Sequence, residues 1–335
     1  MNLNNTHKLC SIVAFVLITL LLGTNVSAGR IRDKIRERRK ERVSEKLRDK
    51  LTNEDDTPLD PSLLPEGIND EVNIPYGTEN KQHFDIYYPS FHIENAPVLF
   101  MVHGGGWRIG DKAMTRVVVN KVKRWVPKGF IFISTNYRMV PDLDPIGQAT
   151  DVVLAIAKAQ EEVHKWGGDP NKFVLMGHSA GAHLVSLIAT DDSLSHDIVM
   201  TPWLGTVSLD SAAYDVERIM RNPHLPLYDQ AFGEYTDAYW REASPFYAIN
   251  SDTKPILSVY STRRKDSYTQ AKRFAAKAVA LGVKVELLGK DMSHGEINSL
   301  LGEDQVYTQE VEVFMADLNS DIEGLLFDGT LSATP

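Results

Sequence analysis

Cysteine is nearly missing from this 335-residue chain: the single one, Cys10, excludes an internal disulfide framework and any multi-cysteine metal site. Because it lies at the start of an apolar run instead of following one, it does not read as a lipid-attachment site. No internal repeat is present, which excludes solenoids and propellers. No glycine-rich stretch ends in Gly-Lys-Ser/Thr, which removes a nucleotide-cradling loop, and no two histidines with a glutamate show metal-ligand spacing, so neither metal nor cofactor is expected. Basic residues are scarce in the body: from Leu51 to Pro335 there are 24 Lys/Arg against 40 Asp/Glu, a net charge of −16 that argues against a nucleic-acid partner. What is plentiful is apolar material, 43% of positions, enough for one large core and incompatible with disorder throughout.

The N-terminus is built differently from the rest. Lys8, an uncharged apolar run from Leu9 to Leu22 and the small residues Val26-Ser27-Ala28 have the layout of a secretory signal, with cleavage expected after Ala28 and an exported product. At 14 residues the run is short for a bilayer crossing, which takes ~20. Residues 30–50 then hold eleven Lys/Arg against five Asp/Glu, a solvated helical spacer with contact to an anionic surface as its alternative. Pro58, Pro61 and Pro65 mark a linker, so the expected organisation is signal 1–28, basic extension and linker 29–67, and a catalytic domain 68–335.

Within that domain, strand-like apolar runs at Phe84–Tyr88, Val98–Val102, Phe130–Thr135, Phe173–Met176, Thr206–Leu209, Ile256–Tyr260 and Val283–Leu288 alternate with helical periodicities at Ile146–Trp166, Ser267–Leu281 and Val306–Leu318. Strand, helix, strand implies an α/β fold with a mostly parallel central sheet and helices on its faces. The long aromatic-rich segment at about 211–252 is expected to form a small lid.

Gly177-His178-Ser179-Ala180-Gly181 lies between a strand and the helix Ala182–Thr190, the context of a nucleophile elbow, where a sharp turn lifts the serine hydroxyl above the sheet. The bland alternative is a helix-capping serine. Upstream, His103-Gly104-Gly105-Gly106-Trp107 also follows a strand, and its backbone amides could meet an anion. The expected oxyanion hole is the amides of Gly104, Gly105 and Ala180. A serine needs a base, and of ten histidines only His294 lies just beyond the last strand. The imidazole in turn needs a carboxylate. Asp266, after the strand Ile256–Tyr260, is the expected acid, and Asp210, ending the previous strand, is its rival. Trp107 and Tyr214 are expected to line the substrate pocket, core packing being the alternative.

These segments, together with Gly110-Asp111-Lys112, Tyr137-Arg138 and Trp166-Gly167-Gly168-Asp169-Pro170, resemble the α/β-hydrolase esterases, in the branch holding hormone-sensitive-lipase-like carboxylesterases, bacterial feruloyl and acetyl esterase-like proteins and kynurenine formamidases. The resemblance spans about Val72 to Leu318. It implies Ser179, Asp266 and His294 as a triad and a serine carboxylesterase acting on small-molecule esters through an acyl-enzyme. Aryl formamide hydrolysis and a non-catalytic binding module are the alternatives. The basic run Arg263-Arg264-Lys265 beside Asp266 departs from the family pattern and suggests a cationic rim.

Overall fold

The computed structural model describes residues 57–327. The expected signal, the basic stretch 30–50 and the start of the linker lie outside them. Eight strands form one sheet: β1 (Ile68–Pro75), β2 (His83–Pro89), β3 (Ala96–Val102), β4 (Ile131–Thr135), β5 (Gly168–His178), β6 (Gly205–Leu209), β7 (Ile256–Ser261) and β8 (Val285–Lys290). Their spatial order is β1-β2-β4-β3-β5-β6-β7-β8. The β1–β2 and β2–β4 pairs are antiparallel and every other pair is parallel.

Burial on both faces explains the unbroken apolar character of the central strands. In β3, Val98, Phe100 and Val102 enter one core cluster while Leu99 and Met101 enter the other. The first cluster is covered by α2 (Pro145–Glu162) and α3 (Ala180–Thr190). The second is covered by α1 (Thr115–Trp125), α10 (Gln305–Ala316) and α11 (Ser320–Phe327). Between β6 and β7 come four short helices, α4 (Val216–Met220), α5 (Pro226–Phe232), α6 (Asp237–Glu242) and α7 (Pro245–Ala248); α8 (Lys265–Ala280) follows β7, and α9 (His294–Ser299) follows β8. This is the α/β-hydrolase arrangement expected from the sequence.

Strand β1 and helix α1 are among the elements that carry no clear sequence signal. Strand β1 is an edge strand with mostly exposed residues, so it lacks the apolar run that marks its neighbours. Helix α1 buries Val117, Val118, Val122 and Trp125, but also Lys121, which breaks the apolar stripe.

Candidate active site

The parallel strands deliver their following turns to one edge of the sheet, and the chemistry-bearing residues are in those turns. After β5, Ser179 has φ 56° and ψ −114°, a conformation rarely adopted by a residue with a side chain, costing ~1–3 kcal/mol unless the surroundings impose it. They do: the Ser179 amide donates to the Leu209 carbonyl at 2.9 Å and its own carbonyl accepts from the His183 amide at 3.1 Å. The flanking glycines have steric reasons. A Cβ at Gly177 would lie 2.4 Å from the Gly181 carbonyl oxygen, and one at Gly181 would lie 2.2 Å from that of Val102. Ser179 heads α3, where the Ala180 amide belongs to the first turn and so has no partner within the helix.

The turn after β3 packs directly on this elbow. A Cβ at Gly104 would come within 2.9 Å of the His178 carbonyl oxygen and 3.0 Å of Ser179 Cβ, so only glycine lets the two turns approach this closely. Among the described residues, no hydrogen bond engages the amides of Gly104 or Gly105. The turn is held from behind instead. His103 stacks on Tyr137 at 4.5 Å, the Tyr137 hydroxyl donates to the His103 carbonyl at 3.0 Å, and Gln148 Nε2 donates to the Trp107 carbonyl at 3.0 Å. Burial pushes His103 down to about 4, so its ring is a neutral brace.

His294 opens α9 directly after Ser293, which closes a capping box with Glu296. Its backbone carbonyl accepts a bond from His178 Nε2 at 2.9 Å, and the two rings lie 4.5 Å apart, tying the histidine to the residue before Ser179. Burial, followed by the His294 and Arg116 charges, holds His178 well below the ordinary imidazole value. From the other side, Arg263 clamps the loop: Nε donates to Asp291 Oδ1 at 2.8 Å, Nη2 to the Asp291 carbonyl at 2.7 Å and Nη1 to Glu296 at 3.2 Å.

The carboxylate on His294 is Asp210, with Nδ1 and Oδ2 2.6 Å apart, which corrects the expectation for Asp266. Asp210 directly follows β6 and is fully buried, and it collects four contacts. Oδ1 accepts from the Ser261 amide at 2.8 Å and from the Ser267 hydroxyl; Oδ2 meets His294 and, at 2.6 Å, Arg264 Nη1. Burial pushes the Asp210 carboxyl up, but the bond and charge from His294, the charge of Arg264 and the Ser267 hydroxyl outweigh it and hold the group well below the usual carboxylate range. Asp266 sits in the first turn of α8 with its side chain half exposed, and its partner is Arg264 Nη2 at 3.0 Å. It meets the guanidinium, and the guanidinium, not Asp266, lies beside the imidazole.

The two residues expected to line the pocket also need correction. Tyr214 is fully buried: it stacks on Phe274 at 4.6 Å, and its hydroxyl bridges Ser208 Oγ at 2.8 Å and Ser258 Oγ at 2.7 Å. A phenol needs partners when buried, and these serines on β6 and β7 supply them, so Tyr214 is part of the core. Trp107 is 3% exposed; its Nε1 donates to His183 Nδ1 at 3.1 Å, and its ring meets Phe232 edge-on at 4.9 Å. His183, pushed down to about 4 by burial, donates its other nitrogen to the Ala243 carbonyl at 2.8 Å. Trp107 and His183 thus join the Gly104–Gly106 turn and α3 to the inserted helices. The wall over the turn comes from α5: a Cβ at Gly106 would be 4.0 Å from Leu227 Cβ, and Tyr228 packs against Trp107 at 5.8 Å.

The BD-FAE family model matches residues 84–277, more than half of the chain. The chain belongs to the BD-FAE family. Ser179 and Asp210 lie inside the span that matches this family, and His294 lies beyond it. Among curated proteins, the chain is similar to esterase LipQ of Mycobacterium tuberculosis, 30% identical over 62% of this chain and 52% of that one. It is also similar to the kynurenine formamidase of Danio rerio, 26% identical over 44% of this chain and 48% of that one. The alignments therefore span about half the length of these relatives. Among solved structures, a truncated carbohydrate esterase from gut microbiota superposes with a TM-score of 0.65 at 16% identity, covering 78% of this chain and 99% of the other, a likeness of fold.

Proposed function

We propose that this BD-FAE protein hydrolyses carboxylic esters through an acyl-enzyme on Ser179. Ser179 Oγ attacks the ester carbonyl carbon while His294 Nε2 takes the hydroxyl proton, and Asp210 fixes the tautomer by holding Nδ1–H and steadies the imidazolium. The tetrahedral oxyanion forms against the amides of Gly104, Gly105 and Ala180. His294 passes its proton to the leaving alcohol, and water then releases the acid by the same steps in reverse. Among the described residues the Ser179 hydroxyl has no hydrogen-bond partner; the serine–histidine bond of such sites tightens when substrate fills them. The observation that carries the reading is the 2.6 Å contact between His294 and a fully buried, four-partnered carboxylate, next to a serine held in an elbow against the Gly104 turn.

A panel of esters of graded acyl length, run on the parent and on Ser179→Ala with fluorophosphonate labelling beside it, tests this. Loss of about six orders of magnitude in kcat in the variant is expected. Equal turnover by parent and variant would remove Ser179 from the mechanism. The likeness to a kynurenine formamidase favours a second reading, hydrolysis of an aryl formamide by the same groups. Rates on N-formylkynurenine against short acyl esters separate the two. We further propose that the product is exported, supported by the layout of Lys8, Leu9–Leu22 and Val26-Ser27-Ala28; the N-terminal residue of the secreted protein checks it.

A further inference from the structure

Asp210 is shared. Its Oδ2 meets both His294 Nδ1 and Arg264 Nη1 at 2.6 Å, and the same guanidinium nitrogen lies 2.7 Å from Nδ1. Arg264 sits on the turn between β7 and α8, with its side chain about a quarter exposed. Its second terminal nitrogen is held by Asp266 at 3.0 Å. None of these contacts is needed to seal the core, since α8 packs through Ala271, Phe274 and Ala278.

The reaction proposed above makes a particular demand on this carboxylate. During each turnover His294 alternates between neutral and cationic, while Asp210 stays fully buried. When the imidazole is neutral, a buried carboxylate with only an amide, a hydroxyl and an imidazole N–H as partners has no compensating charge, and protonating it would cost the site its acceptor. A fixed guanidinium supplies that charge throughout the cycle. It would also oppose the imidazolium that forms beside it, were it not itself offset. Asp266 provides the offset: two carboxylates and one guanidinium leave a single net negative charge facing the imidazolium. Holding the second nitrogen fixes the fork with the first on Oδ2; because Nη1 is also 2.7 Å from Nδ1, the tautomer with a lone pair on Nε2 requires that Nη1 direct its hydrogens to Oδ2 and leave Nδ1–H to Asp210.

We infer that Arg264 is a positioning residue for hydrolysis, keeping Asp210 ionised and aimed at His294, with Asp266 holding Arg264 in turn. This rests on the assignment of Ser179, His294 and Asp210 as the reacting set. It gives the basic run before Asp266 a specific task, distinct from forming a cationic rim.

The test compares the full chain carrying Arg264→Ala, Arg264→Lys and Asp266→Asn with the parent on one short acyl ester. For Arg264→Ala, kcat should fall roughly tenfold, in the range seen when a supporting partner is removed, with KM within about twofold. Added guanidinium chloride at non-denaturing concentration should restore several-fold of the loss in Arg264→Ala and none in Ser179→Ala. Arg264→Lys should fall between parent and Ala, and Asp266→Asn should lose only a few-fold. A merely structural arginine would change melting temperature without selective guanidinium rescue. If Arg264→Ala does not fold, the kcat of Arg264→Lys carries the test. Parent-level kcat in every Arg264 variant that folds, or a loss confined to KM, would overturn the inference while leaving the esterase reading intact. Absence of Ser179-dependent turnover and labelling in the parent would remove both.

Discussion

Two carboxylates 56 positions apart compete for one imidazole, and their surroundings differ in every physical respect. Asp210 leaves the end of β6 with φ 53°, is fully buried, and has donors on both oxygens. Asp266 begins a helix, is half exposed, and has one guanidinium for a partner. An orienting acid has to stay ionised without being satisfied by water, and only a buried group supplied with fixed donors does so. The contrast teaches that the architecture offers more than one strand end from which a carboxylate can reach the histidine, and that burial with full hydrogen bonding decides which is used.

The sharpest way to break the comparison is to neutralise each carboxyl in turn. Asp210→Asn should lower kcat by about 10⁴-fold, because the amide no longer enforces the Nδ1–H tautomer. Asp266→Asn should cost less than about fivefold, as a surface ion pair contributes little. Steady-state kinetics on the same ester reads both; an Asp266 loss as large as that of Asp210 would reverse the assignment.

This pair also marks where the sequence stopped being legible. The fold, the elbow and the Gly104 turn were readable because each leaves a local trace: apolar runs for doubly covered strands, and glycines where a Cβ would strike Gly181, Val102 or Ile109. The histidine was readable from its place after the last strand. The acid was not, because Asp210 and Asp266 both follow apolar strands, and what separates them is Ser261 and Ser267 converging on one carboxylate across the β6–β7 boundary. Tyr214 misled for a related reason: an aromatic residue just past a strand fits a pocket or a core equally well until Ser208 and Ser258 are seen on its hydroxyl.

Burial with neutral partners should show in the pH dependence of folding. His103 and His183 are both pushed down to about 4 by burial, so the folded chain leaves them neutral while the unfolded chain protonates them near 6.5. Their contribution is fully present above pH 6.5 and is lost as pH falls from there toward 4, on the order of 3 kcal/mol for each group. Urea midpoints measured across that window should drop, and His183→Gln should flatten the slope by one proton. A midpoint constant from pH 6.5 to 4 would contradict neutral rings.

The number of donors on Asp210 can be varied without touching its charge. Ser267→Ala removes the hydroxyl from Oδ1 and leaves the Ser261 amide there. A stability loss of about 1–2 kcal/mol is expected, the usual cost of one bond to a buried charged group. The kcat should fall less than about tenfold, since Oδ2 keeps its contact with His294. Calorimetry and kinetics on one preparation read both quantities.

The smallest effect concerns a buried charge built the opposite way. Lys121 is fully buried on α1, like Asp210 just after β6, but among the described residues its ammonium meets only the carbonyls of Asn298 at 2.7 Å and Arg116 at 3.3 Å. Burial, and secondarily the Arg116 charge, push it down to about 7. An ammonium lowered in this way costs folding stability that grows as pH falls from 10.5 to 7 and is constant below. Lys121→Met keeps the stem and removes the charge, at the loss of one donor to the Asn298 carbonyl. The net expectation is a gain of about 1 kcal/mol at pH 6, or roughly 2–4 °C in Tm for a domain of this size. That gain should shrink as pH rises from 7 and reach zero or reverse above 10.5, where the parent's amine is neutral in both states. A variant less stable than the parent at pH 6 would show that two carbonyls are provision enough for this cation, and that the asymmetry with Asp210 is one of geometry alone.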